Sequence, residues 1–178
     1  MDSSKREQQW VLRAQVRDRE AMELLLRSVQ PSLQRFLRGL VGATDADDVV
    51  QEVLIQICRK LFWLRAPELF RPWAFRIASR AGVRHLKKNK RWTERALDDS
   101  VLETMPARDL PIDELTEVVF NSPALSNASR AVLILHFLEE MTLPEVAAIL
   151  EIPLGTVKSR LGFALNTLRK HIANKKSL

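Results

Sequence analysis

The 178-residue sequence has one cysteine, three histidines and five glycines. A single thiol excludes an intramolecular disulfide framework, and Cys58 sits inside an apolar helical pattern, where it packs as a small hydrophobe rather than serving as a nucleophile or redox switch. His85, His136 and His171 lie far apart, with neither carboxylate nor thiolate at metal-ligand spacing, so no metal or cofactor is expected. The chain also lacks a carboxylate cluster and a nucleophile paired with a base, which argues against an enzyme acting on nucleic acid. No apolar run approaches the length of a membrane span, and the opening MDSSKREQQW is polar; the expectation is a cytoplasmic protein without membrane insertion. With glycine scarce and apolar spacing helical nearly everywhere, an all-α fold without a substantial sheet is expected.

What is present is hydrophobic residue at 46%, a net charge of +6 and a pI near 9.9, a balance that favours a polyanionic partner. The length suits two small helical domains, placed at 1–95 and 122–178. Between them, Ala96 to Asn121 carries seven Asp/Glu against one Arg, together with Pro106 and Pro111. It reads as an acidic linker, with a short helix from Asp113 to Phe120.

In the first domain an amphipathic helix is expected from Arg6 to Leu26, with Pro31 as punctuation and a shorter helix from Ser32 to Val41 that ends at Gly42, a residue tolerant of left-handed backbone. The next segment, TDADDVVQEVLIQICRKL, begins with Thr44 as a cap and Asp45, Asp47 and Asp48 complementing the positive helix end. Val50, Val53, Leu54, Ile57 and Leu61 form its buried stripe, while Asp45, Asp48 and Glu52 share one exposed side. Capping and solvation account for the first two acids. They account less well for Gln51 and Glu52, which suggest an acidic docking surface for a basic partner.

From Arg59 to Arg95 the sign reverses: twelve Lys/Arg stand against two Asp/Glu, interleaved with six of the eleven aromatics. Cations that track a backbone and flat rings that receive unstacked bases suit single-stranded nucleic acid. Pro67 and Pro72 bracket a loop within Phe62 to Arg71, and Pro72-Trp73 restarts a helix. Most rings in this stretch, and apolar residues such as Phe75, Ile77 and Ala81, read as core. Trp63, Leu64 and Arg65, by their loop position, and Arg84, Lys87, Lys88, Lys90 and Arg91, by charge, do not.

Ser126 to Glu140 is expected to be an amphipathic helix packed on the segment that follows, Thr142 to Ile172, which has the pattern of a helix-turn-helix. Thr142 and Glu145 form a capping box; Glu151-Ile152-Pro153 interrupts the first helix; Val157, Leu161, Ala164, Leu165, Leu168 and Ile172 make one apolar stripe on the second. Thr156, Lys158, Ser159 and Arg160 are left on its first exposed turns, and from Leu154 to Lys176 there are six Lys/Arg and no Asp/Glu. Amides, hydroxyls and cations at a helix N-terminus match phosphates and base edges in a major groove. A solvated hairpin is the plainer alternative. The competing functional reading is a free-standing repressor or activator binding duplex DNA as a dimer, although no spare apolar helix is available for its interface.

The succession DADDVVQEV, FRPWAFRIASR, an acidic linker and a helix-turn-helix ending IPLGTVKSRL resembles the extracytoplasmic-function group of bacterial sigma factors over roughly Gln8 to His171. The resemblance implies a promoter-specificity subunit of RNA polymerase. Asp45, Asp48, Gln51 and Glu52 would dock on core polymerase. The loop carrying Trp63, Leu64 and Arg65 and the helix carrying Trp73, Arg76, Arg80, Arg84, Lys87, Lys88 and Arg91 would take the minus-ten element, holding a flipped base and the opened strand. Gly155, Thr156, Lys158, Ser159, Arg160 and Phe163 would read the minus-thirty-five element. It also implies a free monomer and an anti-sigma factor as partner, with the acidic linker in the polymerase's RNA channel. This chain departs from the family pattern at Arg80 and Arg84, often Asn and Asp; at Glu151, often Gly; and at Phe163 and Leu165, often Arg.

Overall fold

A computed structural model describes residues 3–89, 119–120 and 122–175. All regular structure among them is helical, and the chain divides into two compact units, Met1–His85 and Leu86–Leu178. Most of the acidic linker, including 113–118 of the expected short helix, lies outside the described residues, as do Lys90 and Arg91; Val119 and Phe120 are helical.

The first unit opens with α1 (Ser3–Gln15) and α2 (Arg19–Val41). The expected break at Pro31 does not occur; the chain turns earlier, at 16–18, where Arg17 takes a left-handed backbone (φ 69°) and Asp18 Oδ1 accepts the Ala21 amide at 3.0 Å to start α2. Pro31 sits exposed inside α2. Its missing N–H costs about 3 kcal/mol, but Ala21, Leu25, Val29, Leu33, Phe36, Leu37 and Leu40 form one unbroken buried stripe across it, each large member contributing roughly 1.5–3 kcal/mol. Burial of the stripe outweighs the lost hydrogen bond.

Gly42 ends α2 at φ 95°, as expected, and also precedes α3 (Ala43–Lys60). Thr44 lies inside the first turn of α3 and does not cap it; no side chain does. Ala46, Val49, Val50, Val53 and Ile57 face inward, and α3 packs on α2. Two short 3-10 turns, Leu61–Trp63 and Pro67–Leu69, lead to α4 (Phe70–Lys88). Helices α2 and α4 meet closely: the Phe36 and Phe75 rings are edge-to-face with centroids 5.6 Å apart, and a Cβ on Gly82 would stand 2.5 Å from Leu40 Cδ2.

In the second unit Ser126 caps α5 (Asn127–Leu133) by accepting the Ser129 amide. The helix expected to run to Glu140 widens into a π turn, Ile134–Leu138, closed by Glu139 N–H donating to the Ile134 carbonyl at 3.0 Å. His136 Nδ1 lies 2.7 Å from the Met141 carbonyl, so that nitrogen carries the proton. α6 (Leu143–Leu150) and α7 (Leu154–Lys175) follow. Val132, Leu135, Val146, Ile149, Val157, Ala164 and Leu168 close the core, Leu161 is only half-buried, and the Ile172 side chain lies outside the described residues.

Candidate nucleic-acid interface

The acidic side of α3 is divided between solvent and the fold. Asp48 and Gln51 project outward. Asp45 is half-buried, its Oδ2 3.0 Å from His85 Nε2 on α4, and Glu52 accepts hydrogen bonds from Arg84 on α4 and from Gln56 Nε2 (3.0 Å). Two of the four residues expected to dock a partner therefore also join α3 to α4. Ile55, one turn beyond Gln51, is 52% exposed and adds an apolar spot beside them that the expected stripe left out.

After α3 the turn Leu61–Trp63 holds its indole away from the core, with Trp63 81% exposed and Phe62 49%. Arg65 is exposed, but Leu64 points inward and is only 9% exposed. Its expected place at the nucleic-acid surface is corrected accordingly: a leucine flanked by solvent-facing neighbours is the apolar anchor that pins the loop. Both carbonyls around the tip are held from α1, where Gln15 Nε2 donates to Leu61 at 2.9 Å and to Leu64 at 2.7 Å.

On α4 the residues at three- and four-residue spacing, Arg80, Arg84, Lys87 and Lys88, are exposed and form a cationic ribbon. Trp73 and Arg76 are half-buried. Trp73 packs 6.2 Å from the Phe70 ring, and Arg76 Nε is buried with no acceptor among the described residues. Arg71 has another duty: its Nε donates to both Glu7 oxygens at 3.1 and 3.2 Å, with Ser28 Oγ also on Glu7. Arg91 lies outside the described residues.

The capping box of α6 is present in both directions. Thr142 N–H donates to Glu145 Oε2 at 2.8 Å, and Glu145 N–H to Thr142 Oγ1 at 3.4 Å. The turn that follows puts Glu151 in left-handed backbone (φ 56°, ψ 43°), and Pro153 accepts the Val157 amide as α7 begins. Gly155 and Lys158 are exposed at that end, and a Cβ on Gly155 would meet nothing within 4 Å among the described residues. Thr156, Ser159, Arg160 and Phe163 are half-buried along the same two turns; Ser159 Oγ donates to the Gly155 carbonyl at 3.1 Å. No carboxylate occupies the first turn of α7.

Comparison with known proteins matches residues 25–92 to sigma-70 region 2 and residues 123–170 to sigma-70 region 4. The chain is 29% identical over 164 residues to the ECF RNA polymerase sigma-E factor of Escherichia coli K12, covering 85% of this chain and 86% of that protein. It belongs to the extracytoplasmic-function sigma factors. The sigma-E factor of Haemophilus influenzae is 28% identical over 171 residues, covering 87% and 89% of the two chains. The fold of this sigma factor is shared by CnrH, solved in complex with the cytosolic domain of CnrY, and by RpoE of Bartonella quintana, solved in complex with the anti-sigma factor NepR. Both give a TM-score of 0.65, at 22% and 23% identity, covering 95% and 85% of this chain and 98% and 96% of theirs.

The sigma factor is thus a promoter-specificity subunit of RNA polymerase, not a free-standing repressor. Among the described residues no helix is long and apolar enough to cross a membrane, and no group of three His, Cys, Asp or Glu is placed to hold a metal. Burial pushes the half-buried Cys58 thiol up, away from the reactive thiolate. Arg130, unremarked in the sequence, is the post of the sigma factor's second unit: Nε donates to the Val119 carbonyl at 2.7 Å and Nη2 to the Ser122 carbonyl at 2.8 Å, so one side chain takes two backbone carbonyls ahead of α5. Burial lowers its pKa from the ordinary value. No helical spacing marks it, because its partners are backbone carbonyls 11 and 8 residues away.

Proposed function

We propose that this sigma factor divides promoter recognition between its units, with Asp45, Asp48, Gln51 and Glu52 meeting core polymerase, Trp63, Arg65 and the α4 cations meeting the opened minus-ten element, and the start of α7 lying in the major groove of the minus-thirty-five element. The observation that carries the reading is Trp63, 81% exposed just ahead of a helix whose open side is Arg80, Arg84, Lys87 and Lys88. An exposed ring followed along the chain by a cationic ribbon suits an unstacked base and the phosphates of its strand, and stabilising unpaired bases melts a promoter without any catalytic group. The protein works in the cytoplasm, where polymerase and promoters are. Its fold relatives were solved with CnrY and NepR, which supports an inhibitory partner covering the same surfaces.

In vitro transcription with bacterial core polymerase and a pooled promoter library, with and without the protein, tests the whole reading. New start sites sharing two elements are expected, about one and a half to two helical turns apart at roughly 10 base pairs per turn. Replacing Asp48 and Glu52 by Lys is expected to abolish co-purification with core while far-UV dichroism stays helical. Replacing Lys158 and Arg160 by Ala is expected to cost about 1–3 kcal/mol per lost base contact, or to lower the salt slope for a phosphate contact. Retained core binding, or unchanged affinity and slope, removes the corresponding assignment.

A further inference from the structure

Gln15 is the last residue of α1, and its amide reaches residues 46 and 49 positions further along the chain. The two acceptors are the carbonyls of Leu61 and Leu64, one on each side of Phe62-Trp63. The Leu61 carbonyl also takes the Leu64 amide at 3.0 Å, so both of its lone pairs are used. With the Leu61 and Leu64 side chains in the core, each end of the tip is held by backbone and side chain together. Only the tip itself projects. An amide NH2 fits this place because it brings two hydrogens to two acceptors; a carboxylate would set lone pairs against lone pairs.

Nothing in the fold of the first unit gains from an indole left in water, and a ring that stacks on an unpaired base loses affinity if its loop must be ordered at the moment of binding. We propose that Gln15 is a positioning residue for promoter opening, clamping the Leu61–Leu64 turn so that Trp63 presents its ring to an unpaired base of the minus-ten element. The proposal rests on the reading of Trp63 given above, and Gln15 itself touches no DNA. It makes the end of α1, outside the matched region 2 segment of 25–92, part of the strand-opening device.

The test uses holoenzyme assembled from core polymerase and full-length protein, on fork-junction DNA carrying 2-aminopurine at unpaired minus-ten positions. Four variants are compared: Gln15→Glu and Gln15→Met, which lose the donors; Gln15→Lys, whose ammonium keeps them; and Trp63→Ala, which removes the ring. Gln15→Glu, Gln15→Met and Trp63→Ala are expected to lower fork-junction affinity by about tenfold, within the range for a lost base-stacking ring, and to quench the 2-aminopurine increase. Gln15→Lys recovers most of both signals. Core affinity and binding to the duplex minus-thirty-five element stay as in the natural protein. The proposal is overturned if Gln15→Glu and Gln15→Met open the fork normally while Trp63→Ala does not. It is equally overturned if they lose core binding and DNA opening together without rescue by Gln15→Lys, because the amide is then only a fold staple. Normal opening by Trp63→Ala instead removes the underlying reading of the ring.

Discussion

Arg84 on α4 donates to the carboxylate of Glu52 on α3, so a cation proposed for DNA and an acid proposed for polymerase hold each other. Their side chains remain 60% and 49% exposed. Water and salt screen such a pair, which limits its contribution to about 0.2–1 kcal/mol. A double-mutant cycle with Glu52→Gln and Arg84→Gln, read by urea unfolding, is expected to give a coupling in that range that shrinks at high salt. A coupling of several kcal/mol would mean the pair organises α3 against α4 and is not merely a surface contact.

Asp18 gives a pH signature. The Ala21 amide, and then Arg13 through its own hydrogen bond and charge, hold this carboxyl below its ordinary value. Because the folded pKa is depressed, the stabilisation is fully present above the unfolded value of about 3.9 and is lost as pH falls through the folded value. Asp18→Asn keeps a capping oxygen but does not titrate. The advantage of the natural protein over Asp18→Asn in urea midpoint is therefore expected to decline from about pH 5 toward pH 2; a difference that stays constant over that range would contradict the assignment.

Gly82 is needed for contact rather than for turning. A Cβ there would stand 2.5 Å from Leu40 Cδ2 and 3.2 Å from Leu37 Cδ2, both buried side chains. Any larger residue gains roughly 0.5–1 kcal/mol of helix propensity at most and meets an overpacking cost of about 1–3 kcal/mol, so the clash wins. Gly82→Val is expected to lower unfolding free energy by about 2 kcal/mol. Adding Leu40→Ala should return part of the loss, and a neutral Gly82→Val would show that α2 can move aside.

The helix-turn-helix offers opposite tests at its two junctions. Thr142→Ala breaks the capping box and is expected to cost about 1 kcal/mol. Glu151 occupies left-handed backbone that favours glycine, and Glu151→Gly is expected to stabilise the second unit by about 1 kcal/mol. Thermal unfolding of the full chain reads both, and the same sign for the two substitutions would refute one of the assignments.

The helices of the helix-turn-helix were legible because their causes are local. Val157, Ala164 and Leu168 repeat at helical spacing, Thr142 and Glu145 stand three apart, and hydrogen bonds within four residues do the rest. The same locality misled at Pro31, where a rule about one residue lost to a stripe that is buried because α1, α3 and α4 cover it. Composition likewise exposed the charge reversal between the α3 acids and the α4 cations, and with it two surfaces of opposite sign.

Which members of those surfaces face outward was decided by tertiary structure. Leu64 turned inward and Trp63 outward; Asp45 met His85, and Glu52 met Arg84, 32 residues away. Gln15 on its loop carbonyls and Arg71 on Glu7, at separations of 46 to 64, have no periodic signal at all. The sequence by itself determined the helical class, the order of the two regions and their charge. Folding decided the pairings, because a side chain chooses its partner by distance in space, and helix spacing reports only which way it points along its own axis.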